Sequence, residues 1–216
     1  MITPVSSVTR SDSGAGIVYK LHVKQDVSLE SPRRNHNRLP FLMVGKHTAY
    51  PNKRSLVQFE DLPKVCPFQK IKWAKMYLYY MYSHKASFHS VRRTPFITRY
   101  FKVYRVKKSW NETQATSTIR YGSVRWSKPL LGLDNCDAER RPQSCWAVPL
   151  YTNHPRKTWI EFDVTRAVNY WRRYGRNYGL VVRATNEYRN GRGTRFASNA
   201  DRDRKRHAFI NVLCGY

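Results

Sequence analysis

The sequence predicts an all-β protein built as a sandwich or barrel, and three observations carry that prediction. Short runs alternating between apolar and polar residues recur along the 216-residue chain, Gly and Pro fall between them, and helix-period patterns are scarce. The length favours one domain around one core. With 41% hydrophobic and 14% aromatic residues there is enough apolar material to bury such a core, which excludes global disorder. The most apolar run, Met76 to Tyr82, is short and leads into His84 and Lys85, which excludes a membrane-spanning helix of about 18 residues or more. The opening MITPVSSVTRSDSGAG has no apolar segment of the signal-peptide kind, so either a signal has been removed before this numbering or none is used.

Taken in order, Val18 to Val23 alternates, Phe41 to Gly45 is a short apolar run ending in Gly, and Ser55 to Phe59 runs into the turn signal Asp61-Leu62-Pro63. Ile71 to Tyr82 carries apolar groups on both faces near its end, the pattern of a strand buried between two layers. Further strands are predicted at Thr98 to Lys107, Ile119 to Arg120, Trp159 to Asp163, Tyr178 to Ala184, Thr194 to Ala197 and His207 to Leu213. The breaks are Gly122, Pro129, Pro149, Pro155, Gly175 and Gly191-Arg192-Gly193. One short amphipathic helix is predicted at about 164–174. Asp163 or Thr165 can supply its capping oxygen, and Val164, Val168 and Trp171 form its apolar stripe. Arg172-Arg173 suit its negative C-terminal end and Gly175 ends it. Trp171 is therefore expected in the core.

Lys and Arg number 40 against 14 acidic residues, a formal charge of +26 that self-repels unless anions lie close. The basic residues are spread along the whole chain, so the expected partner is a polyanion met by the folded surface. Arg192, Arg195, Arg202 and Arg204, on and after the Gly-rich turn, are expected to converge on it, with Lys102, Arg105 and Tyr104 contributing from the strand at 98–107. Tyrosines near cations, such as Tyr77, Tyr79, Tyr100 and Tyr104, suit sugar faces and sulfate or carboxylate groups together, though many strand tyrosines only pack against the sheet. Nucleic acid satisfies the same electrostatics, but no RNP-like signature or recognition helix is visible.

The four cysteines, Cys66, Cys136, Cys145 and Cys214, form no CxxC pair, which disfavours zinc. Cys136 and Cys145 can close a small loop around DAERRPQS, leaving Cys66 for Cys214; two such bridges imply an oxidising compartment, and four separate buried thiols are the alternative. Asn111-Glu112-Thr113 is a glycosylation sequon. Catalysis is not expected. The acidic residues are scattered, the seven His are dispersed with His84 and His89 the closest pair, and no GxSxG, HExxH, P-loop or GxGxxG occurs. No cofactor and no metal is expected either.

The order of features also carries a resemblance. It runs from Val44-Gly45-Lys46 and Arg54-Ser55-Leu56-Val57-Gln58-Phe59-Glu60-Asp61-Leu62-Pro63 through Val103-Tyr104-Arg105-Val106 and Ser109-Trp110-Asn111-Glu112. It continues in Trp159-Ile160-Glu161-Phe162-Asp163-Val164-Thr165, Trp171 and Asn177-Tyr178-Gly179-Leu180. This resembles the DNRLRE domain family, carbohydrate-binding-like jelly rolls of secreted proteins, from about Asp26 to Cys214, and is most specific from Trp159 to Leu180. The same stretch is more weakly similar to the arm region of transforming growth factor β type propeptides, although no cystine-knot pattern follows. The resemblance implies a two-sheet jelly-roll sandwich with Phe59, Phe162, Val164, Val168 and Trp171 in its core. It also implies residues 1–25 as an N-terminal extension able to hold a first strand, with 26–216 as the domain. The sequence departs from the family at Ala115-Thr116-Ser117-Thr118, which lacks an aromatic, and in its basic excess.

The function expected from these readings is a secreted, non-catalytic module that binds anionic polysaccharide or acidic extracellular matrix through a basic, Tyr-rich surface. The alternatives are a structural extracellular protein, such as an organic-matrix component of a mineralised material, and a nucleic-acid binder.

Overall fold

The computed structural model describes residues 8–10, 16–30, 32–46, 52–62, 70–83, 96–151, 158–185, 187 and 193–215, and for 8–10, 82–83, 96–99 and 145–151 the backbone alone. The strands are β1 (Val8–Arg10), β2 (Ile17–Leu29), β3 (Phe41–Val44), β4 (Arg54–Phe59), β5 (Lys70–Ser83), β6 (Phe96–Arg105), β7 (Ile119–Tyr121), β8 (Val124–Arg125), β9 (Ser144–Tyr151), β10 (Thr158–Asp163), β11 (Leu180–Ala184), β12 (Thr194–Ala197) and β13 (Phe209–Gly215), with one helix, α1 (Thr165–Tyr174). β7 and β8 pair with each other as a separate two-stranded ribbon, and the other strands make two antiparallel sheets packed face to face, an all-β sandwich.

The front sheet centres on β5. One edge of β5 pairs with β10, from Thr158↔Tyr80 to Asp163↔Lys75; the other pairs with β13 and then with β12. Beyond β13 lie β2 and β1, and beyond β12 lies β3. The back sheet runs β2-β4-β11-β6-β9. β2 belongs to both sheets: Ile17 to His22 pair with β13, and after an irregularity between Val23 and Gln25 the strand continues along β4 to Leu29. It is thus one strand across the boundary drawn at residue 25. β9 was not foreseen because Pro149 reads as a break. Among the described residues β9 is an edge strand paired only with β6, the position in a sheet that tolerates a residue without an N–H donor.

Alternation decides which layer each side chain joins. Phe101 and Val103 of β6 and Leu180, Val182 and Ala184 of β11 point into the sandwich, where they meet Met76, Leu78 and Tyr80 of β5, Phe162, Ile210 and Phe196. Val181, Tyr104, Val106 and Leu56 point the other way, into a second cluster with Trp110, Trp126 and Leu131. That cluster lies under residues 106–143, which wrap the outside of the back sheet. Two indole N–H groups anchor the wrap, Trp110 donating to the Tyr178 carbonyl at 2.9 Å and Trp126 to the Thr116 carbonyl at 3.1 Å. Leu130 and Leu131 take positive φ of 62° and 69°, and Arg54 donates to both their carbonyl oxygens while forking onto the fully buried Glu187.

Two expectations are corrected by this architecture, and the choice between two capping residues is settled. β5 is not buried on both faces: Ala74, Met76, Leu78 and Tyr80 enter the core, whereas Trp73, Lys75, Tyr77 and Tyr79 lie half-buried on the outside of the front sheet. The expected Cys136–Cys145 bridge is not formed, since the Cys136 thiol is free and exposed. Asp137 bonds to Lys107 while Cys145 stands opposite Lys102, five residues along the strand, or about 16 Å. A disulfide needs Cα atoms within about 7 Å. Finally, of the two capping candidates only Asp163 serves the helix, its Oδ1 accepting the Thr165 N–H at 2.9 Å; the Thr165 hydroxyl instead accepts the Ala74 N–H of β5.

The rest of the helix forms as its sequence requires. Val164, Val168 and Trp171 join the core together with Phe59 and Phe162, and Gly175 closes the helix at φ 62°, its N–H reaching the Trp171 carbonyl at 2.7 Å. Cys214, fully buried on β13, is disulfide-bonded; Cys66 lies outside the described residues.

Candidate ligand-binding surface

The outer faces of the two sheets differ. Residues 106–143 cover the back sheet, but among the described residues no element covers the front one, and its outer face carries a lattice of rings and cations. Across β10, β5, β13 and β2 the register sets Trp159 beside Tyr79, then Glu161, Tyr77, Phe209 and His22, then Asp163, Lys75, Asn211 and Lys20, and then Trp73, Leu213 and Val18. Six residues along β5 and four strands across make a platform of about 20 Å by 15 Å. Tyr77 stacks on Phe209 with centroids 4.8 Å apart, and Trp159 meets both Tyr79 and Phe209 edge-on at 5.2 and 5.0 Å. Tyr77, Phe209, Trp159 and Tyr79 thus brace one another in a continuous chain of ring contacts.

Cations stand over these rings. Lys20 Nζ lies 4.1 Å from the Phe209 centroid, and Lys75 Nζ lies 5.6 Å from that of Trp73. The Arg206 guanidinium, held by Asp203 at 3.0 Å, lies 5.6 Å from the ring of Tyr79. Two carboxylates, Glu161 and Asp163, belong to the lattice, and Glu161 pairs with Lys75 at 2.8 Å and accepts the Tyr77 hydroxyl at 2.8 Å. The Lys75 contact holds the Glu161 carboxyl below its usual range, while burial and that same carboxylate push the Tyr77 phenol up to about 12. At neutral pH the Tyr77 hydroxyl is therefore a fixed donor to Glu161.

The predicted ligand residues divide between the sheets. Arg202 and Arg204 are exposed on the segment before β13, whose short turn (Arg204–Arg206) reaches the platform through Arg206. Arg195 is exposed on β12, with its guanidinium 4.2 Å from the Phe41 ring centroid. Arg192 lies outside the described residues, as do His84 and His89. Lys102 is half-buried on the back sheet, away from the platform. Tyr104 sits in the second core cluster, and Arg105 is buried, paired with Glu139 at 2.8 Å and stacked 3.4 Å over Tyr170, so neither is presented at the surface. Asn111 is exposed on a turn, its side-chain oxygen accepting the N–H and hydroxyl of Thr113.

Sequence reasoning missed Trp73, Trp159, Phe209, Lys20, Lys75 and Arg206 as one surface. The available signal was the odd-numbered face of β5, which alternates rings with Lys75, but apolar content on both faces suggested burial. A second missed feature lies at the front-to-back crossing of β2. The Asp26 carboxyl is pushed up to about 8, chiefly by burial and further by nearby Glu112, with the Asn199 N–H opposing.

These features define an antiparallel β-sandwich with one wrapped sheet and one open, ring-and-cation-bearing sheet. No family model matches the chain, and no curated protein matches it either. Among the described residues no helix is long and apolar enough to cross a membrane.

Proposed function

We propose that the protein is a non-catalytic extracellular module that binds an anionic polysaccharide across the outer face of its front sheet. The observation that carries this reading is the set of half-buried rings of Trp73, Tyr77, Tyr79, Trp159 and Phe209 interleaved with Lys20, Lys75 and Arg206. Flat rings take the apolar faces of sugars, and cations between them take sulfate or uronate groups, so the pair selects a polymer that has both. The formal +26 adds long-range attraction. The resemblance to carbohydrate-binding-like jelly rolls agrees with a sugar ligand, and the bonded Cys214 agrees with an oxidising compartment. The exposed Asn111 sequon is then a glycosylation site.

Retention on heparin and on DNA-cellulose under one salt gradient tests the reading, with a neutral glucan as the third column. Late elution from heparin and earlier elution from DNA is the expected result. Equal salt midpoints on heparin and DNA would reduce the surface to a generic polyanion face, and passage through heparin at low salt would end the proposal.

A further inference from the structure

A second cationic surface, sharing no residue with the platform, lies at the end of the sandwich that α1 crosses. The first turn of the helix touches β5 through Thr165 and Ala74. It also touches residues 139–142 through Arg166, whose Nη2 donates to the Arg141 and Pro142 carbonyls and to Glu139, each at 3.3 Å. One turn later Tyr170 covers Arg105 at the end of β6. Arg166, Arg173 and Tyr174 are exposed on the outward side of the helix and Arg176 is exposed just past its closing glycine, with exposed Arg141 next to Arg166. The helix itself holds no acidic residue. Glu139, the carboxylate that meets this group, is already shared by Arg105 at 2.8 Å and Arg166 at 3.3 Å, and among the described residues Arg173 and Arg176 form no ion pair.

Rings hold these cations in a column. The Arg105 guanidinium lies 3.4 Å from the Tyr170 ring centroid, Tyr170 and Tyr174 meet with centroids 4.5 Å apart, and the Arg173 guanidinium lies 5.3 Å from the Tyr174 centroid. Charges of one sign gathered this way raise each other's energy, and an anion brought to them relieves it. Every cation here is Arg, whose planar fork matches a carboxylate through two parallel hydrogen bonds, whereas the platform relies on Lys20 and Lys75 as well. Tyr174, at 51%, is the one exposed ring, which makes no strip for a sugar chain of the kind that runs from Trp159 to Phe209. A second copy of this chain, itself at +26, is repelled. Seven residues of helix set Arg166 and Arg173 about 10 Å apart, the length of about four residues of extended chain. We infer that this end of the sandwich docks an acidic segment of another protein, an extended run of Asp or Glu side chains.

The test is fluorescence anisotropy of a labelled deca-aspartate peptide titrated with the full chain at about 0.05 M and about 0.2 M salt, beside a labelled heparin fragment. Arg166→Gln/Arg173→Gln/Arg176→Gln leaves Glu139 its Arg105 partner and so keeps the fold, which circular dichroism checks. It should weaken the peptide at least about tenfold and the heparin fragment less than about threefold. Lys20→Gln/Lys75→Gln/Arg206→Gln should do the reverse. Arg166→Lys/Arg173→Lys/Arg176→Lys keeps every charge but loses the forks, and should still weaken the peptide by about threefold or more. A chain that binds the peptide but not heparin, with the same variant pattern, sustains this inference while ending the platform reading. Four results overturn it: no peptide binding at the lower salt, equal peptide losses in the two Gln variants, a heparin loss exceeding the peptide loss in the helix variant, or full peptide affinity in the Lys variant.

Discussion

Neutralising the three platform cations in Lys20→Gln/Lys75→Gln/Arg206→Gln removes the charges that stand over Phe209, Trp73 and Tyr79. If each cation displaces about 0.7–0.9 counterion from a bound polyanion, three lost contacts flatten the slope of log K against log salt by roughly 2–3. Extrapolated to about 0.15 M salt, that is on the order of a 100-fold loss of affinity for a heparin fragment. Trp159→Ala/Phe209→Ala should behave differently: two rings at about 1 kcal/mol each cost roughly thirtyfold, and because no charge changes, the salt slope is unaltered. The assay is fluorescence anisotropy of a labelled fragment at several salt concentrations. Lys108→Gln/Arg125→Gln/Arg140→Gln, a set of exposed cations within residues 106–143, is the charge-matched control. Equal slope changes in both triple variants, together with full affinity in the ring variant, would refute a localised platform and leave only diffuse attraction.

Four further outcomes follow from the same geometry. Arg54→Ala removes both short contacts of the fully buried Glu187 and leaves it the longer Arg183 pair at 3.7 Å, so urea-unfolding stability should fall by about 3 kcal/mol, and a loss under about 1 kcal/mol would contradict the buried pair. Native alkylation should modify Cys136 rapidly and leave bonded Cys214 untouched, with Cys136→Ser abolishing the fast phase by mass spectrometry. Because the folded Tyr77 pKa, about 12, lies above its unfolded value near 10, its stabilising contribution is complete below the unfolded value and disappears as pH rises through the folded one. Glu161→Gln should bring the late phenol of an ultraviolet titration back toward 10. Gly179→Ala should sharply lower the thermal midpoint, since Gly179 holds φ 78° and a Cβ there would stand 2.3 Å from the Val57 carbonyl oxygen.

The sandwich was legible where one physical signal dominated. The helix at 165–174 declared itself because its apolar stripe, terminal arginines and closing Gly175 all agree, and β4, β10 and β12 are short alternating runs between turn residues. Legibility failed where one residue type serves two ends. Tyr104 and Tyr77 look alike in sequence, yet the first is covered by residues 106–143 and the second is left open. The difference comes from a 38-residue segment whose own pattern is turn-rich, held by Trp110, Trp126 and a buried Asp137 that accepts from Ser127 and Gly132. Arg105 misled for a related reason: parity turns it inward with Phe101 and Val103, where Tyr170 and Glu139 claim its guanidinium.

The strand shared by both layers ties mechanics to binding. A polymer bound as proposed on the open face would load β13 and β5, and β2, bonded to β13 at one end and to β4 at the other, would hand that load to the back sheet. The two layers cannot separate without breaking the ladder on one half of β2, either its bonds to β13 or those to β4. A module bound as proposed would pass shear between its layers through β2, whose register shifts between Val23 and Gln25.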